Sequence, residues 1–506
     1  MKKTILLIFL SIFFININFL FASTLHLSIS SNISRINPIL ATDSASGEIA
    51  DWIFEGLLKY DKDANIIPNL AKNYEFLDET TLIIELKENI LWSDGVEFSA
   101  DDVIFTYKTI TSPKIFTPYS SNFRYVKDVE KIDKFKIKIT YTQPYFKALE
   151  VWLTGILPKH LLKDEKNLMT SKFNQKPIGV GSYKLKSYAT SKDIELISNK
   201  NYHIHKPKID NIIYHFLPEA HTNFLMLKSQ KIDIGNLSPL QLEKQLPNNF
   251  RDNFNIIEQI GRSYTYLGFN LKLDKFKDVR VREAISLAID REELIDILFF
   301  GHGQICTGPF LPKTFAFNES IGIPKINLKR AKELLNEAGY SKDNPLEFEI
   351  STNSNNPIRL YASQIIQHQL KKVGINTKIK AMEWQAFLNT KIHARNFEVI
   401  VMGWGLSILP DAYPIWHSES DFTGGFNFIG YKNKKVDKLI KESEKIIDRG
   451  KLSFIYKDIF KLIVEDYPTL FLYIPNSITA VSKKIKPIIP SITGVMHNQI
   501  EWEIDE

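Results

Sequence analysis

The residues best suited to chemistry lie in the stretch 397–416, FEVIVMGWGLSILPDAYPIW. Its first six residues form an apolar run of the length of a strand that is buried on both faces. Gly403 and Gly405 then allow a backbone to approach closely, and Trp404 between them offers a flat apolar surface with one N–H donor. Open α/β sheets bind ligands in such loops, at the carboxyl ends of their strands. The stretch therefore indicates noncovalent binding, and an ordinary loop around a core tryptophan is the alternative.

Signatures of catalysis are missing from the sequence. It contains no G-x-S-x-G, S-x-x-K or H-E-x-x-H motif, no Walker loop and no dinucleotide fingerprint. Paired carboxylates such as Asp101 and Asp102 fall in predicted first turns of helices, where capping and the helix dipole explain them. Residues 301–304, GHGQ, precede no clear helix, so we interpret them as a loop. We predict no catalytic residues and no enzyme activity.

The histidines are the candidates for metal binding. His203 and His205 are two residues apart, as two ligands on one strand face would be. We expect both side chains to be solvated, and a shared metal ion is the alternative. His417 and His497 are better placed to line a cleft, and neither has the spacing of a ligand set. We therefore predict no metal site and no cofactor.

Strands and crossover segments lead into the Trp404 loop. Residues 346–352 alternate apolar and polar side chains, and residues 357–373 place apolar side chains at helical spacing before a glycine. Residues 375–381 alternate again, and residues 384–393 can form a second crossover before the last strand. The order βαβαβ predicts a parallel sheet.

The first 23 residues are typical of a secretory signal peptide. Lys2 and Lys3 precede an apolar run that ends at small residues. The run is short and contains polar residues, which disfavours a transmembrane anchor. Cys306 is the only cysteine, so the sequence offers neither an intramolecular disulfide nor a lipid-accepting cysteine after the signal. We expect a soluble, monomeric protein of the periplasm.

Length and charge limit the classes of partner. Lys and Arg number 64 against 58 Asp and Glu, so the net charge is +6, and removing Lys2 and Lys3 leaves +4. This small excess is spread along the chain, which argues against a nucleic-acid partner. A length of 506 residues predicts two or three domains.

Motifs at fixed spacing identify the family that the chain resembles. Residues 91–107, LWSDGVEFSADDVIFTY, combine a tryptophan, an Asp-Gly turn and a helix start that Ser99 and Asp102 can cap. They resemble the signature of the family 5 extracellular solute-binding proteins, the oligopeptide, dipeptide and nickel binders that serve ABC importers. Other segments similar to the family follow in order: PKH at 158–160, PIGVGSY at 177–183, FN at 269–270, the block 278–290, WHS at 416–418, FN at 426–427 and GY at 430–431.

The resemblance implies a fold and a division of the chain. The fold is the α/β, type II periplasmic-binding-protein fold, with two α/β lobes that close on the ligand by a hinge and an extra domain inserted in the N-terminal lobe. Lobe I takes residues 24–60, 177–268 and 478–506 after the signal peptide at residues 1–23. The extra domain takes residues 61–176, and lobe II takes residues 269–477.

The resemblance also implies how a ligand is held. An extended peptide pairs its backbone with strand-like edges of both lobes, while its side chains enter roomy pockets. The implied contacts are Ser31, Asn32, Ile33, Gly403, Trp404, Gly405, Ser407, Asp411, Trp416 and His417. Many relatives fix the ligand's amino group with an aspartate three residues after the tryptophan. Here that position is Ser407 and the nearest carboxylate is Asp411, so the charge and length of the ligand stay open.

Three hypotheses follow for the function. The leading one is a periplasmic protein that captures short peptides and delivers them to the permease of an ABC importer, meeting the membrane only through that permease. Nickel chelates or small glycans are alternative ligands for the same fold. A secreted hydrolase or chaperone is the alternative from another class, and the missing nucleophile–base motif counts against the hydrolase.

Overall fold

The computed structural model describes residues 22–505. The signal peptide predicted at residues 1–23 therefore lies outside the described residues except for its last two. Within the described range, no helix is both long and apolar enough to cross a membrane. The names lobe I, extra domain and lobe II keep the residue ranges given above, except that residues 263–268 are grouped with lobe II, because they pair with strands of that lobe.

The chain begins in lobe I and then builds the extra domain. The elements of this part are β1 (Thr24–Ile29), α1 (Ser44–Ile53), β2 (Leu58–Tyr60), β3 (Ile66–Pro68), β4 (Ala71–Asp78), β5 (Thr81–Leu86), α2 (Ala100–Ile110), β6 (Val126–Asp133), β7 (Lys136–Tyr141) and α3 (Lys159–Leu162). The sheet of the extra domain is antiparallel with the order β4-β5-β7-β6, and β2 pairs with β3. Ser99 and Asp102 form the predicted capping box at the start of α2.

The chain then returns to lobe I. The elements of this part are β8 (Tyr183–Ser187), β9 (Ile194–Ser198), β10 (Asn211–Phe216), α4 (Ala220–Lys228), β11 (Ile234–Leu237), α5 (Pro239–Lys244), α6 (Phe250–Asn253) and β12 (Phe254–Ile260). One sheet has the order β1-β10-β9-β8, in which β1 and β10 are parallel. The carboxyl ends of these two strands therefore meet at the same edge.

Lobe II follows, and the tail returns to lobe I. The elements are β13 (Ser263–Phe269), α7 (Asp274–Lys277), α8 (Val279–Ala288), α9 (Arg291–Phe299), β14 (Gly303–Ile305), α10 (Leu328–Glu337), β15 (Glu347–Asn353), α11 (Pro357–Lys371), β16 (Asn376–Met382), α12 (Trp384–Phe387), β17 (Val399–Gly405), α13 (Tyr413–Trp416), α14 (Lys434–Ser443), α15 (Arg449–Glu465), β18 (Thr469–Ser482), β19 (Ile485–Lys486) and β20 (Glu503–Ile504). The predicted parallel βαβαβ unit is confirmed, since β15 pairs in parallel with both β16 and β17.

One long strand joins the two lobes. β18 pairs with β13 in lobe II through Thr469 to Tyr473, and with β12 in lobe I through Asn476 to Ser482. The result is an eight-stranded sheet that runs through both lobes. Gly261 connects β12 to β13 beside this strand, and a Cβ there would lie 2.1 Å from the Pro475 carbonyl oxygen. The two chain crossings therefore lie side by side and form the hinge.

The glycine-rich segment 177–183 packs closely against α1. A Cβ at Gly179 would lie 1.8 Å from the carbonyl oxygen of Ile53, and one at Gly181 would lie 2.4 Å from that of Trp52. Real Cβ atoms do not approach backbone this closely, so only glycine fits. This contact explains why the motif carries glycine at both positions.

Contacts between distant segments determine the extent of β18 and the start of α9. β18 continues to Ser482, because its second half pairs in the other lobe. Asp290 caps α9 by accepting from the Glu293 N–H (3.0 Å). The Glu293 carboxylate accepts from Gln369 (2.7 Å), so it does not complete a reciprocal capping box there.

Candidate functional site

The end of β17 presents an unpaired backbone edge. Residues 399–402 of the strand are buried, and Gly403 and Gly405 pair with Thr265 and Ser263 of β13 on one side. On the other side, β15 pairs only with Val399 and Ile400. Beyond Val401, this second edge of β17 has no strand partner among the described residues. An extended ligand could add its backbone there as a further strand.

Trp404 lies half-buried on this strand end. One face stacks on Phe428 (centroids 5.9 Å apart, 27° between planes), and the edge of the Phe426 ring contacts it (5.6 Å, 79°). Phe428 is buried, whereas Phe426 is 55% exposed. The indole is thus part of an aromatic wall with support below and an open side. Trp404 is therefore neither a fully buried core residue nor a free surface residue.

A cation lies directly beside Gly403. Arg359 belongs to the first turn of α11, and its Nη1 donates to Asn353 Oδ1 (3.1 Å). A Cβ at Gly403 would lie 2.9 Å from Arg359 Nη2, so glycine makes room for the guanidinium. No carboxylate of the described residues lies within ion-pair distance of Arg359. Its positive charge is therefore not neutralised by the protein.

Neutral phenols surround this guanidinium. Burial raises the pKa of Tyr266, and it raises the pKa of Tyr473 to about 12, while the nearby Arg359 charge opposes both shifts. Both hydroxyls lack a hydrogen-bond partner, although Trp404 and Thr265 come close without the required geometry. Burial in turn lowers the pKa of Arg359. A partly buried guanidinium among neutral groups is suited to a planar anion such as a carboxylate.

The other end of the loop is lined by charges that are already paired. Asp411 accepts from Lys147 of the extra domain (2.8 Å) and from the Tyr413 N–H (3.1 Å). Ser407 is exposed and lines a cavity of about 260 Å³ together with Lys147 and Arg262. A second cavity of about 320 Å³ shares part of this lining: Tyr60, Glu150, Ile408 and Leu409. The cleft thus continues past Ser407, between the extra domain and lobe II.

The lobe I edge is fixed by contacts within the lobe. Ser31 and Asn32 are exposed, and Asn32 Oδ1 accepts from the Ser191 N–H (2.7 Å). The Ile33 side chain is buried, and its carbonyl accepts from the Tyr188 hydroxyl (3.0 Å). Ser31 also lines a cavity of about 680 Å³ at the carboxyl ends of β1 and β11. This segment is a rigid rim of a large opening.

Comparison with known proteins decides the family. The sequence model described as "Bacterial extracellular solute-binding proteins, family 5 Middle" matches residues 65–426. The chain belongs to this family. Among relatives, it is similar to the oligopeptide-binding protein AppA of Bacillus subtilis, with 33% identity over 470 residues, 89% of this chain and 86% of AppA.

Two solved structures of this family resemble the fold over nearly the whole chain. AppA from Bacillus subtilis in complex with a nonapeptide gives a TM-score of 0.76 at 30% identity and covers 96% of this chain and 99% of AppA. NikZ from Campylobacter jejuni in complex with Ni(L-His) gives 0.77 at 30% identity and covers 95% of this chain and 99% of NikZ. The type II periplasmic-binding-protein fold expected from the sequence is confirmed.

Two of the expected family contacts lie out of reach of a ligand. Trp416 is 2% exposed, with its ring packed edge-on against Tyr431. His417 is 4% exposed; it stacks on Tyr413, and its Nδ1 accepts from the Glu419 N–H (3.1 Å). The short helix α13 turns both side chains into the core of lobe II. Their expected role in the cleft is therefore corrected to a structural one.

The remaining histidines are also placed by the fold. His205 is exposed as expected, but the side chain of His203 is buried and pairs with Glu55 (2.7 Å), which corrects its expected solvation. His497 lines a cavity of about 440 Å³ next to α1. Within residues 22–505, no three His, Cys, Asp or Glu side chains are grouped so that they could hold a metal ion.

Arg359 is the site residue that sequence analysis missed. It lies in the first turn of the helix that follows β15, and β15 is the parallel neighbour of β17. Its position at the carboxyl edge of a parallel sheet is a signal that the sequence contains. A cation there, next to a Gly-Trp-Gly loop, could have been selected as an anion contact.

Proposed function

We propose that this protein captures short peptides in the cleft between its lobes and delivers them to the permease of an ABC importer, without catalysis. The relatives named for oligopeptide binding support this, among them AppA in complex with a nonapeptide. The description of the family as extracellular supports a periplasmic location for this chain. We further propose that it works as a monomer and meets the membrane through the permease.

The unneutralised guanidinium of Arg359 carries this proposal. A peptide ends in a planar carboxylate, which can accept two parallel hydrogen bonds from one guanidinium. Arg359 lies beside Gly403, where the open edge of β17 begins. A peptide with its carboxylate on Arg359 can therefore pair its backbone along β17 and place a side chain on the aromatic wall of Trp404.

The geometry of the loop favours ligands of several residues. Ser407 lies four positions beyond Gly403, which corresponds to about 13 Å of extended chain. A peptide held at Arg359 would thus reach Ser407 with roughly its fourth residue. Asp411 is paired with Lys147, and Glu150 of the same cavity is paired with Arg449, so the amino group of a peptide would extend past both into the cavities beyond. This departure from the expected anchor favours oligopeptides over dipeptides.

Calorimetry with a matched pair of peptides tests the role of Arg359. Tetra-alanine with a free carboxylate is compared with tetra-alanine amide, in the wild type and in Arg359→Met. Hydrogen bonds to charged groups contribute about 1.5–3 kcal/mol, so the wild type should bind the free acid about tenfold to a hundredfold more tightly than the amide. Arg359→Met should bind both forms with the weaker affinity.

Arg330→Met is the matched control. Arg330 is an arginine of the same lobe that already pairs with Glu333 and Glu337 on the surface, so its removal should leave the preference for the acid unchanged. Equal binding of acid and amide by the wild type would contradict the carboxylate role of Arg359. Failure of both peptides to bind at millimolar concentration would contradict peptide capture itself.

A nickel chelate is the second candidate ligand. The similarity to NikZ in complex with Ni(L-His) favours it, because a histidine chelate also offers a carboxylate to Arg359. The described residues hold no three-ligand metal group, so the metal would have to arrive with its ligands. Titration with nickel and L-histidine together, with nickel alone, and with the peptides above compares chelates with peptides as ligands. Tight binding of the chelate without binding of peptides would replace the leading proposal.

A further inference from the structure

A histidine of lobe II lies at the hinge, in the segment predicted as a simple loop. His302 connects α9 to β14, and β14 pairs with Ile474 and Pro475 of β18 where this strand crosses between the lobes. The carbonyl of His302 accepts from the Asn476 N–H (3.1 Å). His302 is thus anchored at the point about which the lobes would rotate.

Both ring nitrogens of His302 contact carboxylates of the other lobe. Nδ1 lies 2.9 Å from Glu258 Oε1 on β12, and Nε2 lies 3.0 Å from Glu243 Oε1 on α5. An ionised carboxylate only accepts hydrogen bonds, and a neutral imidazole has only one N–H to donate. Both hydrogen bonds can therefore form at the same time only when both ring nitrogens of His302 are protonated.

The remaining groups around His302 do not replace this pairing. Asn476 Nδ2 donates to the same Glu258 oxygen (2.6 Å), and the Lys244 ammonium lies 5.8 Å from the centre of the Phe300 ring. Asp296 of α9 is the other nearby carboxylate, and its Oδ1 would lie 3.9 Å from a Cβ placed on Gly301. Partial burial opposes the charge on His302, but the hydrogen bonds to Glu258 and Glu243 outweigh it and raise the pKa of His302 above its ordinary value.

We propose that His302 is a proton-operated latch of the hinge: the imidazolium holds the hinge loop of lobe II to Glu243 and Glu258 of lobe I, and loss of the proton releases it. Without the proton, one ring nitrogen turns its lone pair towards a carboxylate, and the contact becomes repulsive. In the same structure Lys147 of the extra domain is paired with Asp411 of lobe II, and we take this arrangement as the closed one. Acid therefore favours closure, and this holds without any ligand.

Single-molecule Förster resonance energy transfer between two dyes, measured on ligand-free protein, reports whether the lobes are open or closed and so tests the latch. Dyes are attached at Lys108→Cys in α2 and Lys438→Cys in α14, and Cys306 is buried and does not compete for the dye. Partly exposed ion pairs are worth up to about a factor of ten in an equilibrium. Between pH 5 and pH 8.5 the ratio of closed to open molecules should therefore fall about twofold to tenfold, because the latch is lost as the pH rises through the raised pKa.

Three variants decide the result. His302→Gln should remove the pH dependence in this range, whereas Glu243→Gln, at a half-exposed site, should weaken it without harming the fold. His215→Gln removes another histidine–carboxylate pair, with Asp193 in lobe I, and should leave the response unchanged. A wild type with no pH response, or a response that survives undiminished in His302→Gln, would overturn the proposal. Peptide binding is not needed for any of these measurements.

Discussion

Replacement of Trp404 by alanine tests two roles of this side chain, ligand binding and packing. In the proposed binding mode the exposed side of the indole contacts the peptide, and the other side stacks on Phe428 at 5.9 Å. Ligand binding depends on the exposed side, and stability depends on the packed side. A single substitution therefore changes two quantities whose magnitudes differ.

The loss of affinity follows from the exposed half of the ring. Aromatic stacking contributes about 0.5–1.5 kcal/mol, and covering about 60 Å² of apolar surface adds about 1.5 kcal/mol. Trp404→Ala should therefore weaken peptide binding by about tenfold to a hundredfold.

The loss of stability follows from the packed half. A fully buried tryptophan replaced by alanine costs about 3–5 kcal/mol, so a half-buried one should cost about 1.5–2.5 kcal/mol. Calorimetric titration well below the melting temperature gives the affinity, and denaturant unfolding gives the stability.

Trp416→Ala is the matched control in the same loop. Trp416 is buried against Tyr431 and should cost the full 3–5 kcal/mol of stability, while folded protein keeps nearly normal affinity. Unchanged affinity of Trp404→Ala for a peptide that binds the wild type would refute the aromatic wall as a ligand contact. It would also remove the reason for placing the site on this strand end.

Two further substitutions, each with its own control, test local contacts in lobe I and in the extra domain. Gly179→Ala should cost about 3 kcal/mol in denaturant unfolding, since its Cβ would lie 1.8 Å from the Ile53 carbonyl oxygen, whereas Gly47→Ala has open space in α1 and should stabilise by about 0.5–1 kcal/mol. Ser99→Ala should lower the free energy of unfolding by about 1 kcal/mol, because it removes the cap of α2. Ser99→Thr should keep most of that stability. Equal melting temperatures for the wild type and both variants would contradict the capping argument.

Local patterns in the sequence predicted the elements around the site well. The alternation in β15 and β16 and the apolar run of β17 depend on side-chain periodicity, which a sequence displays directly. The cap at Ser99 depends on neighbours three residues apart. Such features are settled within a few residues and need no knowledge of the fold.

Contacts between distant segments could not be predicted in the same way. Trp416 and Trp404 are both tryptophans next to glycine-rich or polar loops, and only the turn of α13 buries the first. Asp411 was a candidate for the ligand's amino group until the fold placed Lys147, 264 positions earlier, upon it. The open edge of β17 is likewise visible only once β15 is seen to end its pairing at Ile400.

The strand that crosses the hinge also bears on how the chain is made. β18 is 14 residues long and supplies both lobes, so β12, at residues 254–260, lacks its partner until residues 476–482 have been synthesised. Lobe I opens at residue 24 but lacks the partner of β12 until residue 482. A nascent chain therefore carries β12 without its partner from residue 260 until residues 476–482 have been made, and an unpaired strand edge of this kind is prone to wrong pairing. Shortening the C-terminus into β18 would consequently remove the middle of the molecule and not merely its tail.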